Sequence, residues 1–264
     1  MRRSLIVCCL LLVSASAFAQ KPNPDLNALA MKAVALLYRQ DESGGLRMLC
    51  TATAFEKTAK GYHFVSAAHC IGDDSDKQNG SAADPSDKNF FITLDDPTNK
   101  TFYAAIPKGV GYQHRGDDFS YFEVETKDEI AFVPLGDEAQ EAVGGDITNV
   151  SSPYGLGKQL FHGSISSLKL ERPVVLDSIN WRNAIMLQIS GPGPGSSGSA
   201  IVSQTQRKIV AFLVGTVGGS NVVAIPVSKF KEFRASVEKG KYKWYKPNAD
   251  TESEDTAKAG SAKQ

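Results

Sequence analysis

An excess of charge of either sign is missing: 29 Lys and Arg residues stand against 29 Asp and Glu in a chain of 264 residues. Without a net field nothing draws the chain as a whole to nucleic acid or to an anionic membrane surface, so any ligand is recognised locally. Long apolar runs are also lacking. The run 5–13 falls well short of the ~20 residues that cross a bilayer, and no later stretch is more apolar. Cysteine is scarce: Cys8 and Cys9 lie in that run, and only Cys50 and Cys70 lie beyond it. No Cys/His cluster has the spacing of a zinc site, and neither later cysteine has the surroundings of a nucleophile, so no metal and no cofactor are expected. Sustained helical periodicity is almost absent, and there are no internal repeats, which excludes bundles and solenoids.

What is present at the start resembles an export leader. Arg2 and Arg3 precede the apolar run, and Ala17-Phe18-Ala19 offers small residues to a signal peptidase, which predicts removal of residues 1–19 by cleavage before Gln20. A periplasmic or extracellular location follows, with no membrane attachment once the leader has gone. In such a compartment Cys50 and Cys70 are expected to pair as a disulfide.

From residue 33 to 225 the chain is a succession of short β-branched and aromatic runs punctuated by Gly, Pro, Asn and Asp. These runs, at 33–38, 49–55, 62–66, 90–94, 102–106 and 119–124, and then at 147–150, 159–165, 184–189, 200–202, 209–214 and 222–225, predict an all-β fold. Even spacing without alternating helices points to barrels or a sandwich. The Gly/Pro punctuation at 135–145 divides a first unit, 33–138, from a second, 139–245. One helix is expected near the end, capped by Ser228 and carrying Phe230, Phe233 and Val237 as an apolar stripe on the second unit. Residues 246–264 have no large apolar side chain and read as a disordered tail; the polar segment 72–88 reads as a solvated loop, and 20–32 is left as an unassigned N-terminal segment.

Cleaving a peptide bond near neutral pH requires a nucleophile, a base of suitable pKa, a group that orients the base, and donors for the developing oxyanion. His69 ends an apolar strand beside Cys70, which suits a base, though a satisfied core histidine is the alternative. Ser197 lies in Gly195-Ser196-Ser197-Gly198-Ser199, where small residues allow close approach of substrate. Composition alone would fit a Gly/Ser linker; the flanking runs 184–189 and 200–202 place it instead in a turn of a folded unit. The N–H groups of Gly195 and Ser197 are the expected oxyanion donors. Asp118 opens the strand beginning at Phe119 and is the candidate orienting acid, with Asp117 facing water; strand capping is the alternative for both. The order His, Asp, Ser differs from that of α/β-hydrolases and of subtilisins.

At these residues the chain resembles the trypsin-like serine peptidases: VSAAHC is similar to their histidine box, DFSYFEV to their aspartate strand, and GSSGSAIV to their nucleophile turn. PYGLG, followed by GSISSL, and the later AIP are similar to the Deg (HtrA) branch. The resemblance spans roughly residues 33–233. It implies two six-stranded antiparallel β-barrels with a short C-terminal helix and the active site in the cleft between the barrels. His69 and Asp118 would come from the first barrel and Ser197 from the second, acting on protein or peptide substrates through an acyl-enzyme.

The resemblance also implies a primary pocket walled by Gly191, Val214, Gly215 and Thr216, all uncharged. His114 and His162 are read as surface or turn residues. Ser196 stands where digestive relatives carry an acid that pairs with a newly cut amino terminus, so activation by that ion pair is not expected. No PDZ pattern follows the second unit. The competing readings are a catalytically silent binding module and an esterase using the same triad.

Overall fold

The computed structural model describes residues 24–71, 89–94, 101–111, 116–170, 174–176, 179–181 and 183–239. The expected leader 1–19, the loop 72–88, His114 and the tail 246–264 lie outside the described residues.

The first half is strand β1 (Val34–Gln40), β2 (Leu46–Lys57), β3 (Gly61–Ser66), β4 (Phe90–Thr93), β5 (Tyr103–Ala104), β6 (Ile106–Val110) and β7 (Ser120–Glu125). They form one seven-stranded antiparallel sheet in the order β5-β4-β1-β2-β3-β7-β6. The run at 102–106, expected as one strand, is two, because it changes partners at Ala105: its N–H bonds Phe90 O at 2.9 Å, β5 pairs with β4, and β6 pairs with β7. Since β5 and β6 lie at opposite edges of the sheet and only Ala105 separates them, the sheet must curl until its edges approach. The first barrel is therefore an open, strongly curled sheet.

The second half runs through β8 (Asp146–Ser151), β9 (Gln159–Ser167), the short hairpin β10 (Val174–Leu176) and β11 (Ile179–Trp181), β12 (Ile185–Ile189), β13 (Ala200–Ser203), β14 (Ile209–Val217) and β15 (Asn221–Pro226). Here the strands close fully, in the order β12-β15-β14-β13-β8-β9. The all-β expectation of paired barrels holds, with one closed and one curled.

Each half has its own core. Ala52 and Ala54 of β2 face Phe64, Phe90, Ile92 and Phe122 inside the first sheet, while Ile147, Leu187, Ile201 and Leu213 fill the second barrel. A further apolar cluster occupies the seam, joining Phe55, Val65, Phe119 and Tyr121 to Phe212, Val223 and Ile225. Helix α2 (Val227–Glu238) drives Phe230 into this seam, with ring centroids 5.2 Å from both Phe55 and Phe212 and 5.3 Å from Phe119. The helix thus packs on both halves rather than on the second alone. Ser228 does not cap it: Pro226 ends β15 and precedes the first turn, and the Ser228 N–H instead donates to Glu138 Oε2 at 3.1 Å. A carboxylate at that end also suits the helix dipole.

Residues left unassigned from sequence include helix α1 (Pro24–Ala33), which buries Leu26, Ala30 and Ala33. Its last turn is tied down by Lys158, whose ammonium donates to Met31 O at 2.9 Å, Val34 O at 3.2 Å and Leu94 O at 2.6 Å. A cation at the C-terminal carbonyls offsets both their lost hydration and the helix dipole.

A polar clip fastens α2 to the first sheet. Arg234 Nη2 lies 2.6 Å from Glu56 Oε2, His63 Nδ1 lies 2.8 Å from the same oxygen, and the Arg234 guanidinium rests over Phe55. Burial pushes the Glu56 carboxyl up, but its bonds to His63 and Arg234 outweigh that and hold it below the usual carboxylate range. A lowered folded-state value contributes stability that is present above the ordinary carboxyl range and is lost as the pH falls through the lowered value. Glu56→Gln is therefore expected to melt below the wild type at pH 7, with the gap narrowing as the pH falls below the ordinary carboxyl range, by thermal melts across that range. The gap should be small, because the Glu56 side chain is 39% exposed and solvent screens the pair.

Candidate active site

His69 sits in a single helical turn, Ala68–Cys70, that follows β3 directly. The turn is held at its base by Ser120 Oγ, which donates to Ala67 O at 3.0 Å, and on its far side by the Cys50–Cys70 disulfide. With its loop of 20 residues, the bridge contributes about 3 kcal/mol in the chain-entropy account. Cys50→Ala/Cys70→Ala is expected to lower Tm by about 6–12 °C in calorimetry, given about 2–4 °C per kcal/mol for a domain of this size. Sulfur and imidazole atoms of Cys50, His69 and Cys70 come within 4.8 Å, but both sulfurs are spent in the disulfide and offer a metal no thiolate.

Asp118 grips His69 at two points. Oδ1 accepts the His69 backbone N–H at 2.8 Å, and Oδ2 lies 2.5 Å from Nδ1. The acid is 1% exposed, shut in by the strand start behind it, where the Phe119 N–H bonds Asp117 O at 2.8 Å. Asp117 is half-buried rather than fully facing water. With the carboxylate accepting, Nδ1 carries the imidazole proton and Nε2 is left as the basic nitrogen.

Ser197 arrives from the second barrel. It shares with His69 a cavity of ≈ 880 Å³, whose wall also includes Gly195, Pro194, Cys50, Cys70 and the β1–β2 hairpin residues Arg39, Asp41 and Arg47. Close approach of the two halves depends on Gly198, at φ +82°: a Cβ there would meet Ala67 N and Ser66 Oγ at 2.5 Å. The turn that carries Ser197 is thus pressed against the backbone that leads to His69.

The peptide planes of this turn are pinned by their carbonyls. Pro194 O accepts from Tyr154 N at 2.6 Å, Gly195 O from Thr51 Oγ1 at 2.8 Å, Ser196 O from Ser199 N at 3.1 Å, and Ser197 O from Thr51 N at 3.2 Å. In a trans peptide the N–H points opposite to the C=O of the same plane. Fixing Pro194 O and Ser196 O therefore turns the N–H groups of Gly195 and Ser197 away from those partners. Neither donates to an acceptor among the described residues. Gly195 takes φ +92°, a left-handed conformation, and a Cβ on it would strike Ser152 O at 2.7 Å.

A family model for the trypsin-like peptidase domain matches residues 50–212, from the disulfide cysteine through His69, Asp118 and Ser197 into β14. The chain belongs to the trypsin-like peptidase family. The solved structure of an HtrA-type protease, AlgW with a decapeptide, superposes on this trypsin-like serine peptidase with a TM-score of 0.62 at 17% identity, covering 82% of this chain and 67% of that one. At that identity the likeness is one of fold. Among curated proteins no sequence match is found.

Of the site residues named from the peptidase's sequence, His69, Asp118, Ser197, Gly195, Cys50 and Cys70 are gathered in one place. Gly191, Val214, Gly215 and Thr216 do not line the shared cavity. Gly191 lies beneath Phe161, which a Cβ would meet at 2.3 Å; Val214 is buried at a bulge in β14, and Gly215 and Thr216 are half-buried beyond it. Thr51, Ser66, Ser120 and Ser152 were not singled out. For Thr51 and Thr53 a signal exists: hydroxyls at alternate positions in an otherwise apolar strand face one side together, and both bond backbone of the second barrel, Thr53 Oγ1 accepting from Ala200 N at 3.2 Å. Among the described residues no helix is long and apolar enough to cross a membrane.

Proposed function

We propose that this protein is an exported serine endopeptidase that opens peptide bonds through an acyl-enzyme. The observation that carries the reading is the two-point grip of buried Asp118 on His69 at the edge of the cavity that also takes Ser197.

In this mechanism Ser197 Oγ attacks the carbonyl carbon of the scissile bond while its proton passes to His69 Nε2. Asp118 holds the ring by Nδ1 and offsets the imidazolium charge. The oxyanion of the tetrahedral intermediate is met by the Gly195 and Ser197 N–H groups, which need no reorganisation to receive it. Collapse expels the amine, which takes the proton from His69. Water then attacks the acyl carbon with His69 again as base, releasing the acid and restoring Ser197.

Export rests on the leader-like residues 1–19, and the Cys50–Cys70 disulfide favours an oxidising compartment. Protein or peptide chains are the substrates this reading calls for. No ion pair of the digestive kind is needed to form the nucleophile turn, since Ser196 is buried with its hydroxyl accepting from Gly193 N at 3.2 Å.

The test is a serine-directed fluorophosphonate applied to the chain lacking residues 1–19. A single adduct on Ser197 by mass spectrometry, together with casein cleavage lost on labelling, is the expected result. Folded protein that resists the label points to a silent binding module; ester turnover without casein turnover points to an esterase.

A further inference from the structure

We infer that Thr51, a residue of the first sheet, is the positioning residue that sets the oxyanion turn of the second barrel; the inference rests on the peptidase reading above. Thr51 is fully buried, and each of its polar groups is used on something that belongs to the site. Its hydroxyl donates to Gly195 O at 2.8 Å and accepts the Ser152 N–H at 3.0 Å. Its backbone N–H donates to Ser197 O at 3.2 Å, and its carbonyl accepts from Ser66 Oγ at 2.7 Å.

The two carbonyls it holds stand on either side of Ser196, so one residue clamps the turn at both ends of the stretch that carries the candidate oxyanion donors. The clamp works on a backbone with little intrinsic stiffness. Gly195 has no side chain to restrict it, and rotation of its neighbouring peptide planes would re-aim its N–H. The plane before it is held by Tyr154 N on Pro194 O at 2.6 Å, and the plane after it by the Thr51 hydroxyl. The same hydroxyl fixes Ser152 N, only two residues before Tyr154, so both restraints on Gly195 meet at Thr51. Ser196 supplies no charge that would do this work, and it spends its hydroxyl on Gly193 N. Because Thr51 adjoins Cys50, whose bridge reaches Cys70 beside His69, the clamp also sets the spacing between base and nucleophile turn.

Saturation kinetics of fluorophosphonate labelling, which separate the reversible affinity KI from the bonding rate kinact, test this in the full exported chain. Thr51→Val keeps the shape and deletes the hydroxyl, and is expected to lower kinact about 100-fold, the scale of one oxyanion donor, with KI nearly unchanged. Thr51→Ser restores the hydroxyl and is expected to retain most of kinact. Thr51→Val that folds and labels at the wild-type kinact overturns the inference, as does a Thr51→Ser variant as slow as Thr51→Ala. The Ser-against-Ala comparison carries the test should valine not be accommodated. Wild-type protein that does not label Ser197 at all overturns the peptidase reading instead, whatever the Thr51 variants do.

Discussion

Ser197→Ala is expected to lower kcat for casein cleavage by about a million-fold, the scale seen when a triad nucleophile is removed, with the melting temperature unchanged. The large loss follows from the geometry. His69 is oriented by Asp118 toward a cavity whose wall includes Ser197, and an alanine there leaves a base with no hydroxyl to activate. The small structural effect follows too, because the turn is held by main-chain carbonyls and by Gly198 against Ala67, none of which needs the Ser197 hydroxyl. Residual turnover about a thousandfold above water should persist, because the N–H groups of Gly195 and Ser197 remain. Activity of the alanine variant near that of the wild type would place the nucleophile elsewhere.

Asp118→Asn should cost about ten thousandfold in kcat. The asparagine amide is nearly isosteric, and Oδ1 can still accept the His69 backbone N–H, as the carboxylate does at 2.8 Å. At the second contact, 2.5 Å from Nδ1, the amide presents N–H where the carboxylate oxygen accepts. The ring then exposes its lone pair at Nδ1 and carries its proton on Nε2, the wrong tautomer for the base proposed above. KM should move little, since Asp118 is buried and absent from the cavity wall. Asp118→Ala frees the ring as well and is expected to fall at least as far. Equal activity of Asp118→Asn and wild type would remove the acid from the mechanism.

Most strands were legible because alternation and turn residues are local signals: 184–189 was expected and Ile185–Ile189 is found, 200–202 was expected and Ala200–Ser203 is found. Helix α1 was not, for its buried positions Leu26, Ala30 and Ala33 include two alanines, whose small surface leaves a faint apolar stripe. The β10–β11 hairpin was missed because its strands, Val174–Leu176 and Ile179–Trp181, are too short to display a period. The cap on α2 was misplaced by two residues because Pro226 both ends a strand and stands at the N-cap of a helix, and the Ser228 N–H has a partner, Glu138, that is remote in sequence.

The candidate site divides in the same way. His69, Asp118, Ser197 and the Cys50–Cys70 pair could be named because each belongs to a short segment whose residue types serve one chemistry. The hydroxyls that hold those segments in place could not: Thr51 meets Gly195 at a separation of 144 residues. No local pattern encodes such a meeting.

By itself, then, the order of residues determined the kinds of groups available and the strand-by-strand habit of the chain, since both arise from side-chain chemistry and steric preferences within a few residues. Tertiary structure alone decided that the first barrel stays an open curled sheet, that α2 and α1 seal the seam between halves, and that one buried threonine clamps the turn beside Ser197. Those outcomes depend on which strand edges pair and in what register, and register is settled only when remote faces compete to bury apolar surface without leaving a polar group unpaired.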